Sequence, residues 1–191
     1  MFESFMTAFA SLFVIMNPFS SLVPFIMLTK DQTAAERARS ANLASLVAGV
    51  LAVSFLFAGP IILTLMALSL SSFKIAGGIV LVLLGLQTVL GVKLSNAEEP
   101  DKEAVAVLIG TPLLTGPGVL TSVILMSEDH GALITFFAIL ASVAISWLIL
   151  RGANRMQKAM GRQMLLVVVK IMGLLLVTRG VQFVIAGLAK P

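Results

Sequence analysis

Apolar residues run almost unbroken through about residues 4–29, 41–67, 73–92, 104–127, 132–150 and 164–188, and every charged residue except Lys74, Lys170 and Arg179 falls outside these runs. A membrane span needs roughly 20 mainly apolar residues, so the pattern predicts six transmembrane helices. Runs well beyond that length must tilt, kink or break. Two of them carry an explicit break signal. Asn17-Pro18-Phe19-Ser20-Ser21 interrupts the first run, and Thr111-Pro112-Leu113-Leu114-Thr115-Gly116-Pro117-Gly118 interrupts the fourth.

Proline removes an intrahelical hydrogen bond and clashes with the preceding turn, except at the first helical position, where its missing N–H costs nothing. Asn and Thr are good N-caps. Asn17-Pro18 and Thr111-Pro112 therefore both read as an N-cap followed by a first-turn proline, the start of a second helix inside the apolar layer. Unpaired backbone in hydrocarbon costs several kcal/mol, so such breaks are tolerated where they are buried in protein or line a cavity. The packing alternative is a proline kink or a close helix contact among small residues.

The two halves also repeat. Lys74-Ile75-Ala76-Gly77 matches Lys170-Ile171-Met172-Gly173 at an offset of 96, Gly85-Leu86-Gln87 matches Gly180-Val181-Gln182 at 95, and Pro18 matches Pro112 at 94. The reading is a duplication, residues 1–95 and 96–191 within one integral membrane domain. Three spans per half is an odd number, which turns the second copy upside down. The expected fold is an all-α membrane protein with six transmembrane helices as an inverted repeat of two three-helix units, the first and fourth helices broken. That architecture recurs in secondary transporters, with the site on broken helices near mid-membrane.

Composition agrees with the pattern: of 191 residues 59% are hydrophobic and 12% charged, far from the balance of a soluble domain. Glu3 in place of a basic cluster, and an apolar run that continues past Ala8-Phe9-Ala10, argue against a cleavable leader, so the first segment is expected to stay in the mature protein. The net charge of +4 matters through its distribution. Lys30, Arg37, Arg39, Lys93, Lys102, Arg151, Arg155, Lys158 and Arg162 follow the first, third and fifth spans, which places those loops in the cytoplasm and both termini outside. A re-entrant first segment is the alternative and would invert this orientation. The acidic stretch at Glu98, Glu99, Asp101 and Glu103 reads as a solvated linker between the copies.

Candidate chemistry follows from the breaks. A restarted helix offers backbone N–H groups and the positive end of its dipole, a seat for a carboxylate. Asn17, Pro18, Ser20, Ser21, Thr111, Pro112, Thr115, Gly116, Pro117 and Gly118 are the candidate substrate-binding positions, with Gln87 and Gln182 as symmetry-related hydrogen-bonding residues and Arg179 as a cation well inside the last span. Lys170, nearer an edge, reads as snorkelling. No span interior holds an Asp or Glu, which argues against a carboxylate proton relay. Cys and Tyr are absent and His130 is the sole histidine, in a loop, so neither catalytic residues nor a cysteine-based metal site are expected.

On Asn17-Pro18 with Ser20-Ser21, Ala35-Glu36-Arg37, Ile75-Ala76-Gly77-Gly78, Pro112 with Gly116-Pro117-Gly118, and Gly180-Val181-Gln182-Phe183 before Gly187, the chain resembles the MarC family of integral membrane proteins, also described as small neutral amino acid transporters. The resemblance spans nearly the whole length. It implies a multi-pass protein of a prokaryotic cytoplasmic membrane that moves small neutral amino acids, with membrane lipid and a possible coupling ion as further partners, no cofactor and no nucleic acid. Two places depart from the usual pattern: Phe19-Ser20-Ser21, where many relatives carry Gly-Asn, and Arg179, where an apolar residue is usual. The alternative function is a membrane assembly or regulatory subunit without transport of its own.

Overall fold

A computed structural model describes residues 2–91 and 114–189. In chain order the helices are α1 (Phe2–Met16), α2 (Pro18–Leu28), α3 (Ala34–Leu65), α4 (Leu70–Leu90), α5 (Pro117–His130), α6 (Ala132–Arg151) and α7 (Ala153–Leu188). No strand occurs among the described residues. Five segments there are long and apolar enough to cross a membrane: Phe2–Ile26, Ala34–Leu65, Leu70–Leu90, Ala132–Arg151 and Gln163–Leu188. The expected fourth span, 104–127, lies partly outside the described residues. Its described remainder, α5, has 14 residues and is about 21 Å long, short of the roughly 30 Å hydrocarbon layer.

Packing follows the distribution of small residues. Ala41, Ala44, Ala48 and Ala52 recur at helical spacing on α3 and are all fully buried, while Leu46, Val50, Phe57 and Ile61 on its other face are exposed. Small side chains let α3 approach α6, where Val143 lies over Gly49. The exposed face suits lipid. At the basic end of this pair Trp147 donates from Nε1 to Asn42 Oδ1 at 2.7 Å, and Arg151 sits 5.1 Å from the indole ring centre, which fixes the ring expected to anchor that end.

The turn between α2 and α3 is closed by side chains. Thr33 and Glu36 form a reciprocal capping box at the start of α3, and Arg37 donates to the Thr29 carbonyl at 2.7 Å and to its hydroxyl at 3.1 Å. Ala35-Glu36-Arg37 thus has a structural explanation. In α7 the backbone leaves helical geometry at Gly161 (φ 72°, ψ 163°), just before the apolar span begins at Gln163. A positive φ there suits glycine.

Helices α4 and α7 pack antiparallel, backbone against backbone. Gly78 and Gly85 face Gly180 and Gly173, and Gly187 lies against Ser71 and Ile75. The spacing of seven puts each set on one stripe. A Cβ added at Gly180 would meet the Gly78 carbonyl at 2.6 Å and Val82; one added at Gly85 would meet the Gly173 carbonyl at 2.7 Å and Val177. These two sites exchange when 95 is added to α4 numbers and subtracted from α7 numbers, and the contact of Gly78 with Val184 likewise becomes that of Gly173 with Val89. These α4 and α7 contacts are related by an offset of 95. The match at 96 around Lys74 and Lys170 is displaced by one residue, because Gly78 is the counterpart of Gly173 while Gly77 turns to Thr121 on α5.

Candidate functional site

The first break is built as its sequence predicts. Asn17 has φ 44° and ψ 60°, a left-handed conformation that Asn tolerates better than most side chains. Its Oδ1 accepts from the Ser20 N–H at 3.3 Å, and its own N–H still donates to the Phe13 carbonyl at 3.1 Å. Pro18 occupies the first position of α2, where it also deprives the Val14 carbonyl of its helical donor. Asn17 is buried, so the restart lies within the protein, about 22 Å from the start of the 15-residue α1.

The second break is described from Leu114 onward. Helix α5 opens at Gly116, extended at φ −70° and ψ 176°, with Pro117 in its first turn and no side-chain cap. Thr111 and Pro112, expected to start this helix, lie outside the described residues. The observed start uses the second proline of the segment. Gly118 lies directly under Leu81 of α4, with no room for a Cβ. Ser122 and Thr121 donate their hydroxyls back to the Gly118 and Pro117 carbonyls, at 2.6 and 2.8 Å, and so stay within the helix. Thr115 is different: its Oγ1 is buried and has no hydrogen-bond partner among the described residues. An unmet buried hydroxyl costs about 1–3 kcal/mol.

Both breaks meet at one cavity of about 320 Å³. Asn17, Ser20, Ser21 and Pro24 form one wall, Gly116 and Gly118 another, and the last three turns of α4, including Gln87 and Thr88, a third. Segment 166–176 of α7 completes it with Leu166, Val169, Lys170 and Leu176. The volume is at the small end of ligand pockets, suited to a compact molecule. Pro24 on this wall lacks the N–H that ordinarily bonds the Ser20 carbonyl, so that acceptor is without its helical donor.

Not every expected residue is brought here. Pro18, Thr115 and Pro117 flank lining residues without lining the cavity themselves, and Pro117 is exposed. Arg179 and Gln182 are elsewhere: Arg179, half-buried, donates to Gln182 Oε1 at 2.8 Å on the outer surface of α7. The antiparallel packing is the reason. Gln87 sits near the end of α4 that faces the 173 region of α7, and Gln182 is carried toward the opposite end. The same geometry brings in Lys170, Thr88, Met16 and Leu81, which the sequence reading did not select.

Long apolar helices with exposed hydrophobic faces, and a broken helix bordering a largely apolar cavity with a few polar groups, define a polytopic α-helical membrane protein. The chain belongs to the MarC family of integral membrane proteins, which matches residues 2–191. Its relatives include UPF0056 membrane protein MJ1677 of Methanocaldococcus jannaschii, 34% identical with 97% of this chain and 96% of that protein covered. UPF0056 membrane protein YhcE of Escherichia coli is 31% identical, with coverage of 98% and 93%, and a UPF0056 membrane protein of Aquifex aeolicus is 32% identical, with 96% and 92%. No solved structure matches the chain.

Proposed function

We propose that this protein is a secondary transporter of small neutral amino acids or similar zwitterions, without catalytic activity, working by alternating access across the cytoplasmic membrane. The observation that carries the reading is the single small cavity on which both broken segments converge. A zwitterion suits it chemically. The start of α2 presents the positive end of a helix dipole to a carboxylate, and the Ser20 carbonyl and Gln87 amide oxygen are acceptors for an ammonium. Thr115, buried next to Gly116 and without a hydrogen-bond partner among the described residues, has a hydroxyl free for a ligand or a moving segment to meet.

The mechanism proposed is rocking of two inverted repeats, 1–95 and 96–191. The exchange of α4 and α7 contacts under the 95-residue shift supports it, since that is the pattern a two-fold axis in the membrane plane produces. Purified protein in proteoliposomes should show saturable, gradient-sensitive flux of labelled glycine, alanine or serine. Absence of flux for all three would reject the substrate class and favour a non-transporting subunit.

The proposed orientation has both termini outside. Because the chain has no Cys, single cysteines report cleanly. In intact cells a membrane-impermeant maleimide should label Glu128→Cys and leave Arg155→Cys unlabelled until the cells are opened. The reverse pattern would overturn the orientation.

A further inference from the structure

We infer that Lys170 is the anion-binding residue of the cavity and that the ligand held there presents a carboxylate to it. Lys170 lies about 10 Å beyond Gln163, where the apolar span begins, so its ammonium is not simply a loop charge. It is the only charged side chain among the described residues lining the cavity; no Asp or Glu lines it. Nor does Lys170 make a hydrogen bond or ion pair among the described residues. A positive charge inside a membrane segment is expensive and ordinarily faces a cavity or a partner of opposite sign. Here Lys170, an exposed residue, lines the rim of the cavity whose lining also includes Ser20 on the first turn of α2.

Two positive sources thus act on one small space, the ammonium and the end of the α2 dipole. Nothing on the described wall offsets them. A ligand carrying only a cation is disfavoured, and a small carboxylate is favoured. Gln87, Thr88 and the serines then read the rest of the molecule. This inference rests on the proposed transport site for its location but concerns binding, which is measured separately from flux.

Ser20→Cys, introduced into the naturally cysteine-free chain, reports on the cavity lining that it shares with Lys170. Thr88→Cys is a second reporter in case the first perturbs the break. In purified protein, alanine and propionate should slow N-ethylmaleimide labelling of both reporters, while alaninamide, which lacks the carboxylate, should not. Adding Lys170→Gln should raise the concentration for half-protection by about tenfold or more, the loss of one charge-assisted contact, whereas Lys170→Arg should keep most of the protection. Rates are compared with and without ligand within each variant, so that a change in thiol reactivity cancels. The inference is overturned if Lys170→Gln is protected like its parent, if alaninamide protects as well as alanine, if inorganic phosphate alone protects, or if nothing does. Protection by carboxylates that depends on Lys170, together with no flux in proteoliposomes, would uphold the binding residue and reject the transport reading.

Discussion

Asn17→Ala is expected to lower amino-acid flux at subsaturating substrate by about 10- to 30-fold, the equivalent of roughly 2 kcal/mol at the site. Two losses add. Removing Oδ1 takes away the cap that bonds the Ser20 N–H at 3.3 Å and leaves it only the Asn17 backbone carbonyl at 3.0 Å, a loss of up to about 1 kcal/mol. Alanine at φ 44° adds about 1–2 kcal/mol of left-handed strain, which alanine relieves by moving the backbone that shapes the cavity wall. Asn17→Gly separates the two, because glycine accepts the conformation and loses only the cap; it should retain more flux than alanine at similar expression. Proteoliposome uptake normalised to folded protein measures both. A folded Asn17→Ala variant that transports like the parent would remove this break from the site.

Gly78→Ala should destabilise the protein by about 2–3 kcal/mol, although the same substitution in an unencumbered helix is favourable by about 1 kcal/mol. The new Cβ would fall 2.5 Å from the Gly180 carbonyl oxygen and 2.9 Å from the Val184 backbone nitrogen. Those atoms belong to backbone and cannot rotate away, so α4 and α7 must separate and lose their close contact along the whole stripe. Gly173→Ala, its counterpart across the packing, meets Thr88 and Val89 at 2.9–3.0 Å and should also destabilise, less severely because side chains can shift. Gly49→Ala is the control: its nearest neighbour is Val143 at 3.5 Å, an ordinary contact, and stability should be unchanged or slightly higher. Unfolding in detergent micelles followed by circular dichroism decides. Equal stability of the Gly78 and Gly49 variants would contradict the close α4 and α7 packing.

How much of this was legible beforehand depended on the range of the interaction. Asn17-Pro18 could be read correctly because an N-cap, a left-handed Asn and a first-turn proline act within four residues. The second break was harder, since its segment holds Pro112 and Pro117, either of which can start a helix; the described helix opens on Gly116-Pro117, with no side-chain cap to mark it. Motif matches left the offset between the halves anywhere from 94 to 96, whereas the interlocking glycines of α4 and α7 are related by 95. Gln87 and Gln182 look equivalent in the sequence, yet one lines the cavity and the other bonds Arg179 outside it.

Read alone, the sequence determined that this chain belongs in a membrane, where five of its apolar helices lie and where the first of them breaks, because hydropathy and capping are properties of a residue and its near neighbours. Only the tertiary structure decided which polar groups share a space. Antiparallel contact sets the end of α4 against the beginning of the α7 span, so Gln87 and Lys170, 83 positions apart in the sequence, line the same cavity while Gln182 is left outside it. Residue spacing carries no record of that crossing.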